Sequence, residues 1–189
     1  MKRIFALLLA LTLILSLGAC GKKPEPAEGQ DQYLTDPVPE GKPEPVEPQN
    51  TQVTDTEGTC TFSISCATLL NNMDALTDGK EDLVPADGWL MEPTEVTFRV
   101  GESVFDVLLR LAKGQKLHME YQDTPMYNSA YIEGIGNLYE FDGGPLSGWI
   151  YSVNGWFPNY GCSRYQLQDG DVVCWVYTCD WAPMWETTP

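Results

Sequence analysis

The chain is poor in the residues on which most catalytic and metal chemistry depends. It has one histidine, His118, set in the alternating stretch Lys116-Leu117-His118-Met119-Glu120. One imidazole cannot build a His-pair metal site, and without a C-x-x-C pair a thiolate zinc site lacks its ligand spacing. None of the patterns G-x-S-x-G, H-E-x-x-H, G-x-x-x-x-G-K-[ST] or G-x-G-x-x-G occurs. Asp169-Gly170-Asp171 lacks the further acidic positions of a calcium loop. Gly134-Ile135-Gly136 and Gly143-Gly144 read as turns. Positive charge is equally scarce: 11 Lys and Arg face 27 Asp and Glu, a formal net charge of −16. So acidic a surface argues against nucleic acid and anionic lipid headgroups as partners and leaves neutral or cationic ligands open. No enzyme, resident metal or required cofactor is expected.

Long apolar runs are missing too, with one exception. Lys2 and Arg3 are followed by an apolar run from Ile4 to Leu17. It is shorter than the roughly 20 residues of a membrane-spanning helix and matches the hydrophobic region of a signal peptide. The run closes on Leu17-Gly18-Ala19-Cys20, which resembles a bacterial lipobox. That resemblance implies removal of residues 1–19, a Cys20 carrying diacylglycerol and a fatty acyl group such as palmitate, and an extracytoplasmic protein held at the cell membrane by lipid. Buried acyl chains contribute about 0.8 kcal/mol per CH₂, so two or three of them anchor stably.

Large apolar residues are sparse over 20–58, where half of the chain's 14 prolines fall. Such a segment buries too little surface to offset its ordering entropy and is expected to be a disordered linker. At about 3.1 Å per residue it would reach on the order of 100 Å. Residues 59–189 are long enough for one domain with its own core.

Within that domain, Thr59–Cys66 alternates with period two, placing Cys60, Phe62, Ile64 and Cys66 on one face. Leu69, Leu70, Met73 and Leu76 have helical spacing over 67–76. Glu95–Val100 reads as a strand. Ser103 and Asp106 form a capping box for a helix carrying Val104, Val107, Leu108 and Leu111, with Gly114 as its stop. Strand-like stretches follow at 116–121, 130–135, 138–141, 149–153 and 171–178, the last introduced by the turn Gln168-Asp169-Gly170-Asp171. The pattern predicts an α+β fold, a β-grasp-like mixed sheet packed on one main helix, with the first and last strands parallel neighbours.

Besides Cys20 there are five cysteines, a number suited to an exported domain and sufficient for two disulfides. Cys60–Cys174 is expected from the parallel strand pair, and Cys162–Cys179 from the terminal hairpin. Cys66–Cys179 is an equal alternative to the second bridge.

Three blocks, VTFRVGESVFDVLL at 96–109, NSAYIEGIGNL at 128–138 and GWIYSVNG…YGCSRYQLQDGDVVCWVYT over 148–178, resemble the transcobalamin-like C-terminal domain family of bacterial lipoproteins. The resemblance implies a β-grasp fold related to ligand-binding domains. In vitamin B12 carriers the related domain caps a corrinoid held against a larger α-helical domain. Cobalamin or another corrinoid, captured for uptake and passed to a transporter or partner protein, is therefore the implied ligand.

The third block places six aromatic rings in GWIYSVNGWFPNYGCSRYQL, residues 148–167. Trp149 and Tyr151 share one strand face and read mainly as core, since each ring buries about 150–250 Å². Asn154-Gly155 suits a tight turn. Trp156, Phe157 and Tyr160 fall in the loop beyond it, where rings are often held out for contact. The candidate ligand-binding set is therefore Trp149, Tyr151, Asn154, Trp156, Phe157 and Tyr160, with Tyr127 extending it. A concave pocket beside the loop would favour a small ligand. A flat apolar patch would favour protein or glycan adhesion.

Overall fold

The computed structural model describes residues 31–33 and 35–180. The expected signal peptide and lipidation site Cys20 lie outside these residues. Seven strands are present: β1 (Glu57–Ser65), β2 (Trp89–Arg99), β3 (Met119–Thr124), β4 (Ser129–Ile135), β5 (Leu138–Tyr139), β6 (Gly148–Val153) and β7 (Val172–Thr178). The one α-helix among the described residues is α1 (Val104–Gln115). The fold is α+β, with one main helix as expected, but the strands divide between two sheets. Four form a mixed sheet in the order β2-β1-β7-β6, and β3-β4-β5 form an antiparallel one. β1 and β7 are parallel neighbours, with Phe62 opposite Val173 and Ile64 opposite Trp175.

The core lies between the four-stranded sheet and α1. Phe62, Ile64, Val173 and Tyr177 are fully buried there, along with Val104, Val107 and Leu108 of the helix. The helix starts on the expected capping box: Ser103 Oγ accepts from the Asp106 amide at 3.2 Å, and Asp106 Oδ2 accepts from the Ser103 amide at 2.8 Å. It runs through Gly114 and ends on Lys116, whose φ of 59° is left-handed. Phe105 packs edge-on to Tyr121 at 4.8 Å, tying α1 to β3.

The helix expected over 67–76 is instead two 3₁₀ turns, Ala67–Asn71 and Met73–Ala75. The Thr68 hydroxyl is spent on the Tyr177 carbonyl, and Asn72 Nδ2 donates back to the Thr68 carbonyl at 2.8 Å. Side chains that take up such backbone partners break a helical run. Leu69 and Leu76 are buried, while Leu70 and Met73 face outward.

The described part of the expected linker is placed against the domain. Residues 31–33 and 35–56 form an irregular strap there, with a turn closed by the Lys42 amide on the Pro39 carbonyl and a short 3₁₀ turn at Pro48–Asn50. Pro, Glu and Lys supply no apolar core here. The strap is held by polar contacts with the 156–166 loop, by Val38 packed against the core, and by the Thr54 amide donating to the Val100 carbonyl at 2.8 Å.

No disulfide joins the described cysteines. Cys174 pairs with Ser63 across the parallel strands, whereas Cys60 shares the face of Phe62 and Ile64. Cys60 and Cys174 therefore point to opposite sides of the sheet and cannot meet at disulfide distance. Cys162 Sγ donates to the Ala130 carbonyl, and Cys179 Sγ faces Thr68 Oγ1 at 3.9 Å. Cys66 and Cys179 lie at the same end of the β1–β7 pair.

Candidate functional site

β6 is an edge strand of the larger sheet, and β4 of the second sheet comes up beside it. Between them lies a cavity of about 650 Å³, within the roughly 300–1,000 Å³ of small-molecule sites. Trp149, Tyr151, Tyr160 and Trp175 wall one side, and Ala130 to Ile132 of β4 the other. Tyr127 stands at its margin, 52% exposed, and strap residues Thr35 and Asp36 complete the wall.

The polar ends of most of these rings are engaged elsewhere, which leaves apolar surface for the cavity. Trp149 Nε1 donates to the Leu138 carbonyl at 2.8 Å. The Tyr151 hydroxyl donates to the Tyr160 carbonyl at 2.8 Å, and the Tyr160 hydroxyl to the Pro43 carbonyl at 2.7 Å. The Tyr131 hydroxyl donates to the Glu140 carboxylate. Burial pushes the Tyr151, Tyr160 and Tyr131 phenols up, so all three stay neutral across the physiological range. Among the described residues, Trp175 Nε1 is buried without a hydrogen-bond acceptor. Such an orphan donor costs about 1–3 kcal/mol.

Gly161 lets the loop pass close to β4. A Cβ built there would lie 1.9 Å from Ser129 Oγ, so any side chain would force the loop off the strand. Ser129 Oγ meets Ser163 Oγ at 2.8 Å, and Ser163 Oγ accepts from the Ala130 amide at 3.1 Å. These contacts fix one end of the cavity.

The structure corrects the expected exposure of the aromatic loop. Trp156 and Tyr160 are 5% and 6% exposed, and Phe157 is half-buried. The strap covers them: the Lys42 ammonium sits 5.5 Å from the centre of the Trp156 ring. The loop therefore presents no flat apolar patch, but four of the seven candidate residues converge on the cavity. Trp156, Phe157 and Asn154 do not line it. Asn154 is a turn residue instead, with φ of 53°, its Oδ1 accepting from the Val172 amide and its Nδ2 donating to Asp171.

Sequence reasoning offered Tyr131 as an extension of the aromatic surface but missed Ala130, Ile132, Asn159 and Trp175 as cavity residues, because the gap between two sheets leaves no mark in either strand's own pattern. It also missed Arg164, whose only sequence signal is a lone cation inside an aromatic block of an acidic chain.

A second cavity of about 570 Å³ lies between the strap, the start of α1 and the β3–β4 turn. Its lining mixes polar and apolar side chains, without the wall of aromatic rings, and its Ser103 and Asp106 are occupied in capping the helix. The ring-walled cavity is the better site, because apolar walls with few polar groups are what hold small ligands.

The thiols are poorly placed for nucleophilic chemistry. Burial pushes Cys60 and Cys66 up to about 11 and Cys162 up to about 12, which keeps them protonated. His118 is exposed on the second sheet, its Nε2 at 2.8 Å from the Tyr139 hydroxyl and 3.1 Å from Glu120 Oε1. Among the described residues no group of three or more His, Cys, Asp or Glu could hold a metal ion, and no helix is long and apolar enough to cross a membrane.

Residues 101–179 match a family model described as Domain of unknown function (DUF4430), which covers less than half of the chain. No curated protein matches. Among solved structures, the chain is similar to haptocorrin in complex with Cbi, at 12% identity and a TM-score of 0.47. That alignment takes in 67% of this chain and 26% of haptocorrin, so the chain spans about a quarter of that protein's length. It is also similar to a candidate metal-binding protein from Ruminococcus gnavus, at 13% identity and a TM-score of 0.36, over 66% of this chain and 97% of the other.

Proposed function

We propose that the protein is an extracytoplasmic binding module, tethered by lipid on Cys20, whose β4–β6 cavity presents an apolar, ring-lined contact to a small-molecule ligand. The observation that carries this reading is the cavity of about 650 Å³ walled by Trp149, Tyr151, Tyr160 and Trp175. A concavity lined by ring faces favours a small molecule over the flat contact an adhesion domain needs. A corrinoid is the first ligand to test, on the strength of the three sequence blocks quoted above. In this reading the module acts by capture and release to a transporter or partner protein, with no resident cofactor.

The test is calorimetric titration of the intact chain with cobalamin and with cobinamide, with tryptophan quenching as a second readout. Saturable micromolar binding is expected, with Trp149 and Trp175 in the cavity wall reporting it. Tyr127→Ala removes an exposed ring at little cost to the fold and should weaken binding roughly tenfold, or about 1.4 kcal/mol. Absence of both heat and quenching with either corrinoid would remove that ligand class from the proposal.

A further inference from the structure

Arg164 is 1% exposed, and the contacts of its guanidinium are all with the strap. Nε donates to the Val46 carbonyl at 3.2 Å, and one terminal nitrogen to Thr35 Oγ1 at 2.5 Å. The other pairs with both Asp31 and Glu47, the latter at 3.0 Å. The Tyr33 ring lies 5.4 Å from the guanidinium carbon. The Arg164 carbonyl in turn accepts from the Val46 amide at 2.9 Å.

The rest of the seam follows the same plan. Asn159 Nδ2 donates to the consecutive carbonyls of Asp36 and Pro37, at 3.1 and 3.2 Å. The Tyr160 hydroxyl donates to the Pro43 carbonyl, and Trp156 receives Lys42 on its face. Proline-rich chain cannot form its own ladder and exposes carbonyls along an extended backbone. Grooves that recognise it supply aromatic faces and side-chain donors to those carbonyls. Trp156, Asn159 and Tyr160 provide both, and Arg164 adds a site for paired carboxylates.

We propose that Trp156, Asn159, Tyr160 and Arg164 form a recognition groove for an extended, proline-rich, acidic segment, occupied here by the chain's own residues 31–33 and 35–47. The segment leaves and returns as a unit. Because its Thr35 and Asp36 form part of the cavity wall, occupancy of the groove sets how open the cavity is. The groove contacts stand independently of what the cavity binds.

The test uses the intact chain and the double variant Asp31→Asn/Glu47→Gln, which removes the two carboxylates that pair with Arg164 and leaves every groove residue in place. Hydrogen exchange is followed at the Val46 amide and at β1 and β7 amides. A labelled synthetic peptide of residues 31–51 is titrated onto each protein at about 0.15 M salt, where long-range repulsion by the acidic surface is screened. In the variant, Val46 exchange should rise roughly tenfold with β1 and β7 unchanged, and the peptide should bind at least tenfold more tightly than to the parent chain. Three results would overturn the proposal. Val46 exchange could stay at the parent rate. The β1 and β7 amides could accelerate in step with Val46, making the strap part of the global fold. A scrambled peptide could bind the variant as well as the native one. Failure of the corrinoid titration leaves all three readouts intact, so the two ideas fail separately.

Discussion

Two seams meet near the aromatic block, and they are built from opposite materials. Where α1 meets the four-stranded sheet, Phe62, Ile64, Val104, Val107 and Leu108 are fully buried against one another. Where the strap meets the 156–164 loop, a cover of Val38 and the Trp156 and Tyr160 rings is joined by one buried guanidinium, two carboxylates and several side-chain donors to backbone carbonyls. This seam is much the more polar of the two. The first seam gains free energy from apolar area removed from water, which is non-directional and insensitive to moderate changes in pH. The second depends on geometry and charge, and hydrogen bonds exchanged against water contribute only about 0.5–1.5 kcal/mol each. The helix–sheet seam therefore defines the global fold, while the strap seam opens locally at lower cost.

Three experiments probe that difference, in decreasing order of expected effect. Phe62→Ala removes a ring from the middle of the first seam and should cost about 3–5 kcal/mol, read as a lower urea midpoint for the whole domain. Arg164→Ala should cost about 2 kcal/mol, because the strap loses its shared partner while Asp31 and Glu47 turn to solvent. Its signature is faster exchange at Val46 with the β1 and β7 amides nearly unmoved. Equal acceleration of all three would dissolve the distinction between the seams.

The smallest effect is acid sensitivity. Burial pushes the Asp31 carboxyl up, but the Arg164 guanidinium and the amides of Thr35 and Tyr33 outweigh it and hold the group below its ordinary value of 3.8. A carboxylate with a depressed folded-state pKa stabilises above its unfolded pKa, and that stabilisation is lost as pH falls through the folded value. Strap exchange, corrected for the intrinsic rate, should be flat from pH 7 to 5 and should rise only below about pH 4. A loosening that began near pH 6 would point to a different titrating group.

Much of the domain was legible beforehand because its signals are local. The alternation of Thr59–Cys66, the Ser103–Asp106 box and the Asn154-Gly155 turn each state their structure within a few residues, and β1 was correctly placed beside β7. The 67–76 segment misled because its leucines have helical spacing, while Thr68 and Asn72 find partners that a helix would deny them. The aromatic loop misled in the same way: Gly and Pro around Trp156 and Tyr160 favour exposure, but the two rings pack on each other and on Tyr165, with the strap over them.

The sequence by itself determined most of the elements, the acidity, the scarcity of histidine and the aromatic mass that walls the cavity. These depend on propensity, periodicity and composition, all properties of near neighbours in the chain. Only the tertiary structure decided that the strands form two sheets with a cavity between them, and that Cys60 and Cys174 face opposite ways. It also decided that Arg164 sits under a segment more than a hundred residues earlier. Contacts of that range depend on which surfaces come together when the core closes, and no local pattern encodes that choice.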